Sequence, residues 1–206
     1  MGNFKDFDKE AKEHGISSTG YFKPPVGSST IRILSSYEIL AYHWDSSYRN
    51  GPGKRNGRSI LCVGKEKGCP FHGDNVPDEI KKTRIAYIAW IIDRQTASIS
   101  LAELPYSVMK KISDMSKLSD YSFEGFLMPY DITITREEVG SGNQKKTSYD
   151  VIASRSNTPI SDAFLDEFNL KEDISDVAEK RKQKVAESYK TTNSSDDDIT
   201  LDEMYQ

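Results

Sequence analysis

"TRIAYIAWIIDR", residues 83–94, is the longest apolar run in the chain and is rich in β-branched and aromatic residues throughout. Such a run, with both faces suited to burial, predicts a central strand of a sheet. "ASISLAEL" (97–104) follows a turn near Asp93–Thr96 and alternates apolar with polar residues, so the two segments pair as a hairpin. Upstream, "TIRIL" (30–34), "EILAYHW" (38–44) and "SILCV" (59–63) are short β-type runs. Downstream, "PYDITITREE" (129–138) and "TSYDVIAS" (147–154) flank "VGSGNQKK", a flexible hairpin loop. Between the hairpins lies "PYSVMKKISDMSKL" (105–118), a helix with Pro105 at its start and Val108, Ile112 and Met115 on one face. Five or more short strands, one helix before the last hairpin and no βα rhythm predict a mainly β fold, a small antiparallel barrel or a strongly curved sheet.

The ends are different. Residues 3–14 carry Phe4, Phe7 and Ala11 at helical spacing and stop at Gly15, so 1–20 form an N-terminal helical segment. Residues 159–190 read as C-terminal helices, and 191–206 as a polar, acidic tail too poor in core residues to fold. The core then spans 21–158. The net charge of −4 hides an asymmetry: residues 1–155 balance at +3, residues 156–206 at −7, and 21–94 alone at +5. A mildly basic body with an acidic tail suits a polyanion ligand. No run approaches the roughly 18 apolar residues of a membrane span. The charged start, "MGNFKDFDKEAKEHG", lacks the apolar stretch of a signal peptide, which points to a cytoplasmic chain with reduced thiols.

Both cysteines and one of the three histidines fall in "LCVGKEKGCPFH" (61–72). Cys69 and His72 form a tight Cys-Pro-Phe-His knuckle, with Gly68 and Pro70 flanking Cys69 to help the turn. His43 stands upstream at the end of a β-run. The order His43, Cys62, Cys69, His72, spaced x18, x6 and x2, offers two thiolates and two imidazoles. That set suits one closed, tetrahedral, structural Zn2+, although the spacing is not that of a two-cysteine, two-histidine finger. His14 is the alternative fourth ligand, and two buried cysteines without metal are the plain alternative to the whole site.

Single-stranded nucleic acid requires cations for phosphates and flat faces for bases. Both occur here, interleaved. Arg32 lies in the first strand. Tyr42, Trp44 and Tyr48 bracket His43 and lead into a loop with Arg49, Lys54, Arg55 and Arg58. Lys81, Lys82 and Arg84 precede Tyr87 and Trp90, and Arg94 closes that strand. Tyr130, Arg136, Lys145, Lys146 and Tyr149 mark the last hairpin. Each aromatic taken singly fits a core as well as a stacking platform, and Trp90 reads as buried. The grouping beside cations is what points to DNA.

In this order the segments "GSSTIRIL", a histidine after a β-run, a cysteine, "GCPFH", "IAYIAWIIDR", "LAELPYSVMKKI" and "YDITITREEVGSGNQKKTSYDV" resemble the single-stranded DNA-binding proteins of tailed phages, of the T4-like helix-destabilising type. The resemblance covers roughly 20–155. It implies an OB-fold, a five-stranded Greek-key barrel, with an inserted zinc subdomain over about 43–75. In that family the ligands run His, Cys, Cys, Cys; His43, Cys62 and Cys69 match the first three, and His72 stands at the last. It also implies a protein of the infected bacterial cytoplasm that coats single-stranded DNA during replication, recombination and repair. The acidic tail, with Asp196, Asp197, Asp198, Ile199, Leu201, Asp202, Glu203, Met204 and Tyr205, would recruit phage replication and recombination proteins. The basic N-terminal cooperativity segment of the family has no counterpart in residues 1–14, where Asp6, Asp8, Glu10 and Glu13 sit among the lysines.

An enzyme is not expected. The chain has no Gly-rich phosphate loop, no HExxH, and no deaminase pairing of H-x-E with P-C-x-x-C. The other reading that the zinc motif permits is a protein-interaction adaptor of a replication or transcription complex.

Overall fold

The computed structural model describes residues 21–46, 57–123, 127–140, 146–157 and 159–194. The fold is mainly β, with an open sheet and, among the described residues, four helices. Its strands are β1 (Tyr21–Phe22), β2 (Gly27–Ile33), β3 (Glu38–Asp45), β4 (Arg58–Leu61), β5 (Thr83–Asp93), β6 (Ser98–Pro105), β7 (Tyr130–Val139) and β8 (Lys146–Asn157). The helices are α1 (Asp78–Lys81), α2 (Tyr106–Ser116), α3 (Asp162–Asn169) and α4 (Ile174–Ser194). None of them is long and apolar enough to cross a membrane.

The chain divides into two compact units. Among the described residues the first comprises 21–36, 89–123, 127–138, 147–157 and 159–170, and its strands follow the order β1-β6-β5-β2-β7-β8. β2 is central here. It runs antiparallel to β5, with Ile31 opposite Asp93 and Ile33 opposite Ile91, and antiparallel to β7, with Ile31 opposite Ile132. Strand periodicity sends alternate residues to opposite faces. One face gathers Ile31, Ile33, Ile91, Ile132 and Ile134 under α2, whose Val108 and Ile112 are buried against them. Each of these large aliphatic side chains contributes about 1.5–3 kcal/mol by leaving water. The other face carries a polar ladder between β2 and β7. Ser28 meets Thr135 at 3.1 Å, Thr30 meets Thr133 at 3.2 Å, and Arg32 donates to Asp131 at 2.7 Å. Beyond it, Leu34, Ile92 and Ile99 make a second cluster, flanked by Trp90 and by Phe164 and Phe168 around α3.

The second unit comprises, among the described residues, 37–46, 57–88, 139–140, 146 and 171–194. In it, β3 pairs antiparallel with β4 and with the first half of β5. The helical pattern read over 159–190 splits between the units: α3 belongs to the first and α4 to the second. α4 also continues through Ser194, past the expected boundary at 190.

β5 corrects one expectation. Both-face burial holds for Ile91–Asp93, whereas Thr83, Arg84 and Ile85 are exposed. The apolar run is continuous, but its first three residues are open to solvent on both faces of the strand. Trp90, expected in the core, is half-buried at the edge of its cluster. The N-terminal segment 1–20 lies outside the described residues.

Candidate metal centre

β3 brings His43 to the middle of the second unit, where it is fully buried. Ile60 of β4 and Thr83 of β5 lie directly opposite it. Cys62 follows β4 and continues its ladder, donating its N–H to the Ala41 carbonyl at 2.8 Å. The chain then reverses over a 3-10 turn, Lys65–Lys67, between Gly64 (φ 92°) and Gly68 (φ 79°). Both lie in the left-handed region, which glycine enters without steric penalty. The Cys69 N–H returns to the Gly64 carbonyl at 3.1 Å, closing the loop under the thiol. A second 3-10 turn, Pro70–His72, starts at Cys69 with Pro70 in its first position and swings His72 back over the site.

The result is a four-member cluster. One ligand atom from each of His43, Cys62, Cys69 and His72 lies within 4.8 Å of all the others. Cys62 Sγ is 3.1 Å from His72 Nε2, and Cys69 Sγ is 3.6 Å from His43 Nε2. A tetrahedron with metal–sulfur bonds of about 2.3 Å and metal–nitrogen bonds of about 2.0 Å has edges of roughly 3.3–3.8 Å, so the donor set has the size of a metal site. The cluster can therefore hold a metal ion. His43 Nδ1 is 2.8 Å from the Ile80 carbonyl oxygen. Donation of Nδ1–H to that oxygen selects the tautomer whose Nε2 lone pair faces the cluster, the outer-shell arrangement usual for ligating histidines. Burial depresses the His43 pKa, the Ile80 bond opposes this, and nearby His72 lowers it further. The ring is thereby kept in the neutral, ligating form. Burial raises the Cys62 thiol pKa, against a backbone hydrogen bond from Gly64 that lowers it. A metal ion must displace that proton, so affinity for the ion weakens as pH falls.

Hydrophobic packing surrounds the cluster. Ile60, Val63, Cys69 and Phe71 pack with Ala186 and Tyr189 of α4, and the Phe71 ring lies 5.3 Å from that of His43. An ion pair joins Lys67 of the first turn to Glu179 of α4. Sequence reading missed this role of α4. The apolar spacing Ala178, Val185, Ala186, Tyr189 marks a buried helical face but does not say what buries it.

The residues read as DNA contacts are distributed unevenly. Tyr42 and Arg84 lie directly opposite each other across β3 and β5, and the Arg84 guanidinium carbon is 5.2 Å from the Trp44 ring centroid. The Tyr42 hydroxyl accepts from Arg181 of α4 at 3.4 Å. Arg84 and Lys82 are exposed. Tyr87 pairs with Ile39, one position out of phase, so it takes the other face of the ribbon and makes an edge-to-face contact with Tyr37 at 5.3 Å. Arg58 lies opposite Asp45 and bridges to it at 3.5 Å, while Lys81 bridges to Asp78. In the first unit Arg94 bonds to Asp131, and Arg136 to Glu138 and the Pro24 carbonyl. Lys146 is exposed at the start of β8.

Two of the expected contacts are corrected. Arg32 is 1% exposed, and its charge is compensated by Asp131 inside the sheet. Tyr130 is 2% exposed, donates its hydroxyl to the Tyr121 carbonyl and packs on Tyr121 and Phe123. Neither offers charge or a ring face to a ligand. Tyr48, Arg49, Lys54, Arg55, Lys145, His14 and the tail residues 196–205 lie outside the described residues.

No protein-family model matches the chain, and no curated protein matches its sequence.

Proposed function

We propose that this chain binds single-stranded DNA without strong sequence preference, as a coating protein of phage replication, recombination and repair in an infected bacterium. Zinc at His43, Cys62, Cys69 and His72 has a structural role in this reading. The strand connectivity supports it. Within the first unit β6-β5-β2-β7-β8 is the order of a five-stranded Greek-key barrel opened between its third and fifth strands, with α2 between the third and fourth. The metal-bearing excursion leaves this order between its first and second strands. That is the position of a loop by which OB-folds hold oligonucleotides.

The observation that carries the proposal is the grouping of Tyr42, Trp44 and Arg84 on one face of β3 and β5 within that excursion. Aromatic rings and a cation on one sheet face supply stacking and phosphate attraction together. Four protein ligands around one metal leave no open position for a catalytic water, so the zinc serves folding. The acidic tail would recruit replication proteins. The decisive experiment is a fluorescence-anisotropy titration with oligo(dT) over a salt series. Binding whose logarithm falls linearly with log salt is expected; absence of binding at low salt defeats the reading.

A second reading, a zinc-containing adaptor for protein partners, draws on the opposite face of the same ribbon. There Tyr37, Ile39 and Ile85 are each about half exposed, at 53%, 46% and 46%. Such an apolar strip fits a protein surface better than a phosphate backbone.

A further inference from the structure

The guanidinium of Arg84 lies over the Trp44 indole, the place where a base would stack. Arg84 is otherwise exposed, and β5 holds its backbone opposite Tyr42. Trp44 in turn is closely approached by Gly57, so that a Cβ there would meet Cζ2 at 2.5 Å and Cε2 at 2.7 Å. The indole is therefore fixed by β3, β4 and Gly57, while the group covering it sits on a long, flexible stem. A guanidinium is flat and weakly hydrated, so it can cover an aromatic face as a base does, and it also binds phosphate.

From this asymmetry, a fixed ring under a movable cation, we propose that Arg84 is a tethered placeholder. It covers the Trp44 face in the free protein and yields that face to a base when single-stranded DNA arrives. The same guanidinium then moves to a neighbouring phosphate. The inference rests on the DNA-binding reading and adds to it a particular exchange at one ring. It gives Arg84 two roles. In the free protein it covers a half-buried indole, and in the complex it supplies one counterion-releasing contact.

The test uses the full chain labelled with 5-fluorotryptophan, which gives one fluorine resonance for Trp44 and one for Trp90, assigned with Trp44→Phe. Saturating oligo(dT) should shift the Trp44 resonance in the wild type. In free Arg84→Ala the same resonance should already have moved. Arg84→Ala should lower the slope of log affinity against log salt by about 1, whereas Arg84→Lys should retain that slope while uncovering the ring. Trp44→Ala, which removes the stacking face, should bind about 5- to 150-fold more weakly. Oligo(dT) binding with an unmoved Trp44 resonance and an unchanged slope in Arg84→Ala overturns the placeholder and leaves the DNA reading standing. Failure of the wild type to bind oligo(dT) overturns both.

Discussion

The Nδ1 atom of His43 stands 2.8 Å from the carbonyl oxygen of Ile80, just before the strand that pairs with β3. Through that bond the backbone fixes the ring so that Nε2 faces Cys69. With His72 as the fourth donor, purified protein should contain about one zinc per chain by elemental analysis. Cys69→Ser should lose it. His72→Cys should keep it, because a thiolate can replace the imidazole at a tetrahedral site. At a free zinc concentration about 1,000 times the dissociation constant the ion adds about 4 kcal/mol of stability. A melting curve that chelator leaves unchanged would refute the site.

Acid should weaken the chelator-stripped protein through His43. Its folded pKa is depressed below the ordinary value of 6.5, chiefly by burial. As pH falls through 6.5 the unfolded chain takes up a proton that the folded chain refuses. Stability is therefore full above about 6.5 and is lost progressively until the folded pKa is reached. Melting temperatures of stripped wild type should fall between pH 7.5 and 5.5, and those of His43→Gln should fall less. Equal slopes would show that His43 does not titrate this way.

Much of the sheet could be read from alternation and turn residues, because strand pairing between neighbours in sequence is a local matter. The β5–β6 hairpin, the α2 face of Val108 and Ile112 and the β7–β8 hairpin follow from spacing alone. The metal cluster was legible because soft ligands are few, and a knuckle needs a short, glycine-flanked spacing. Arg32 and Tyr130 were not legible. A strand sequence does not reveal that Asp131 lies across from Arg32, or that Tyr121 offers a carbonyl to Tyr130. The cover that α4 gives to Phe71 is likewise a contact distant in sequence, invisible to periodicity.

Loss of metal should loosen α4. Ala186 and Tyr189 pack on Phe71 and Cys69, whose positions depend on the knuckle. Amide hydrogen exchange should show the helix gaining exchange rate around residues 178–189 when zinc is chelated, while α2 stays protected. Phe71→Ala should reproduce part of this in the metal-loaded protein, at a cost of about 3–5 kcal/mol. Undisturbed protection in α4 after chelation would separate the helix from the metal centre.

Arg32 provides a test of what its burial means. Removing one partner of a buried ion pair leaves a charge uncompensated and typically costs about 3–5 kcal/mol, whereas apolar replacements of similar volume are often tolerated. Arg94 also bonds to Asp131 and keeps the carboxylate compensated, which softens the loss. Arg32→Met should fold, and its oligo(dT) salt slope should match that of the wild type. A slope smaller by about 1 would instead place Arg32 on a phosphate.

Gly57 tests the fixed side of the Trp44 indole. Its φ of +91° strains any other residue, and an added Cβ would lie 2.5 Å from Cζ2 of the ring. Two costs are therefore combined in Gly57→Ala, backbone strain of about 1–3 kcal/mol and displacement of the indole. Gly27→Ala separates them. Gly27 has a similar φ of +100°, but a Cβ there would meet nothing within 4 Å. It should show the strain alone, with tryptophan fluorescence unchanged. Gly57→Ala should melt lower than Gly27→Ala and should alter the Trp44 emission, because the ring must leave its place beneath Arg84. On the DNA-binding reading its affinity for oligo(dT) should also fall, by up to the roughly 1–3 kcal/mol of one stacked base, while zinc content stays near one per chain. Equal melting and equal fluorescence in the two alanine variants would mean that the indole can shift without consequence and that Gly57 does not set its position.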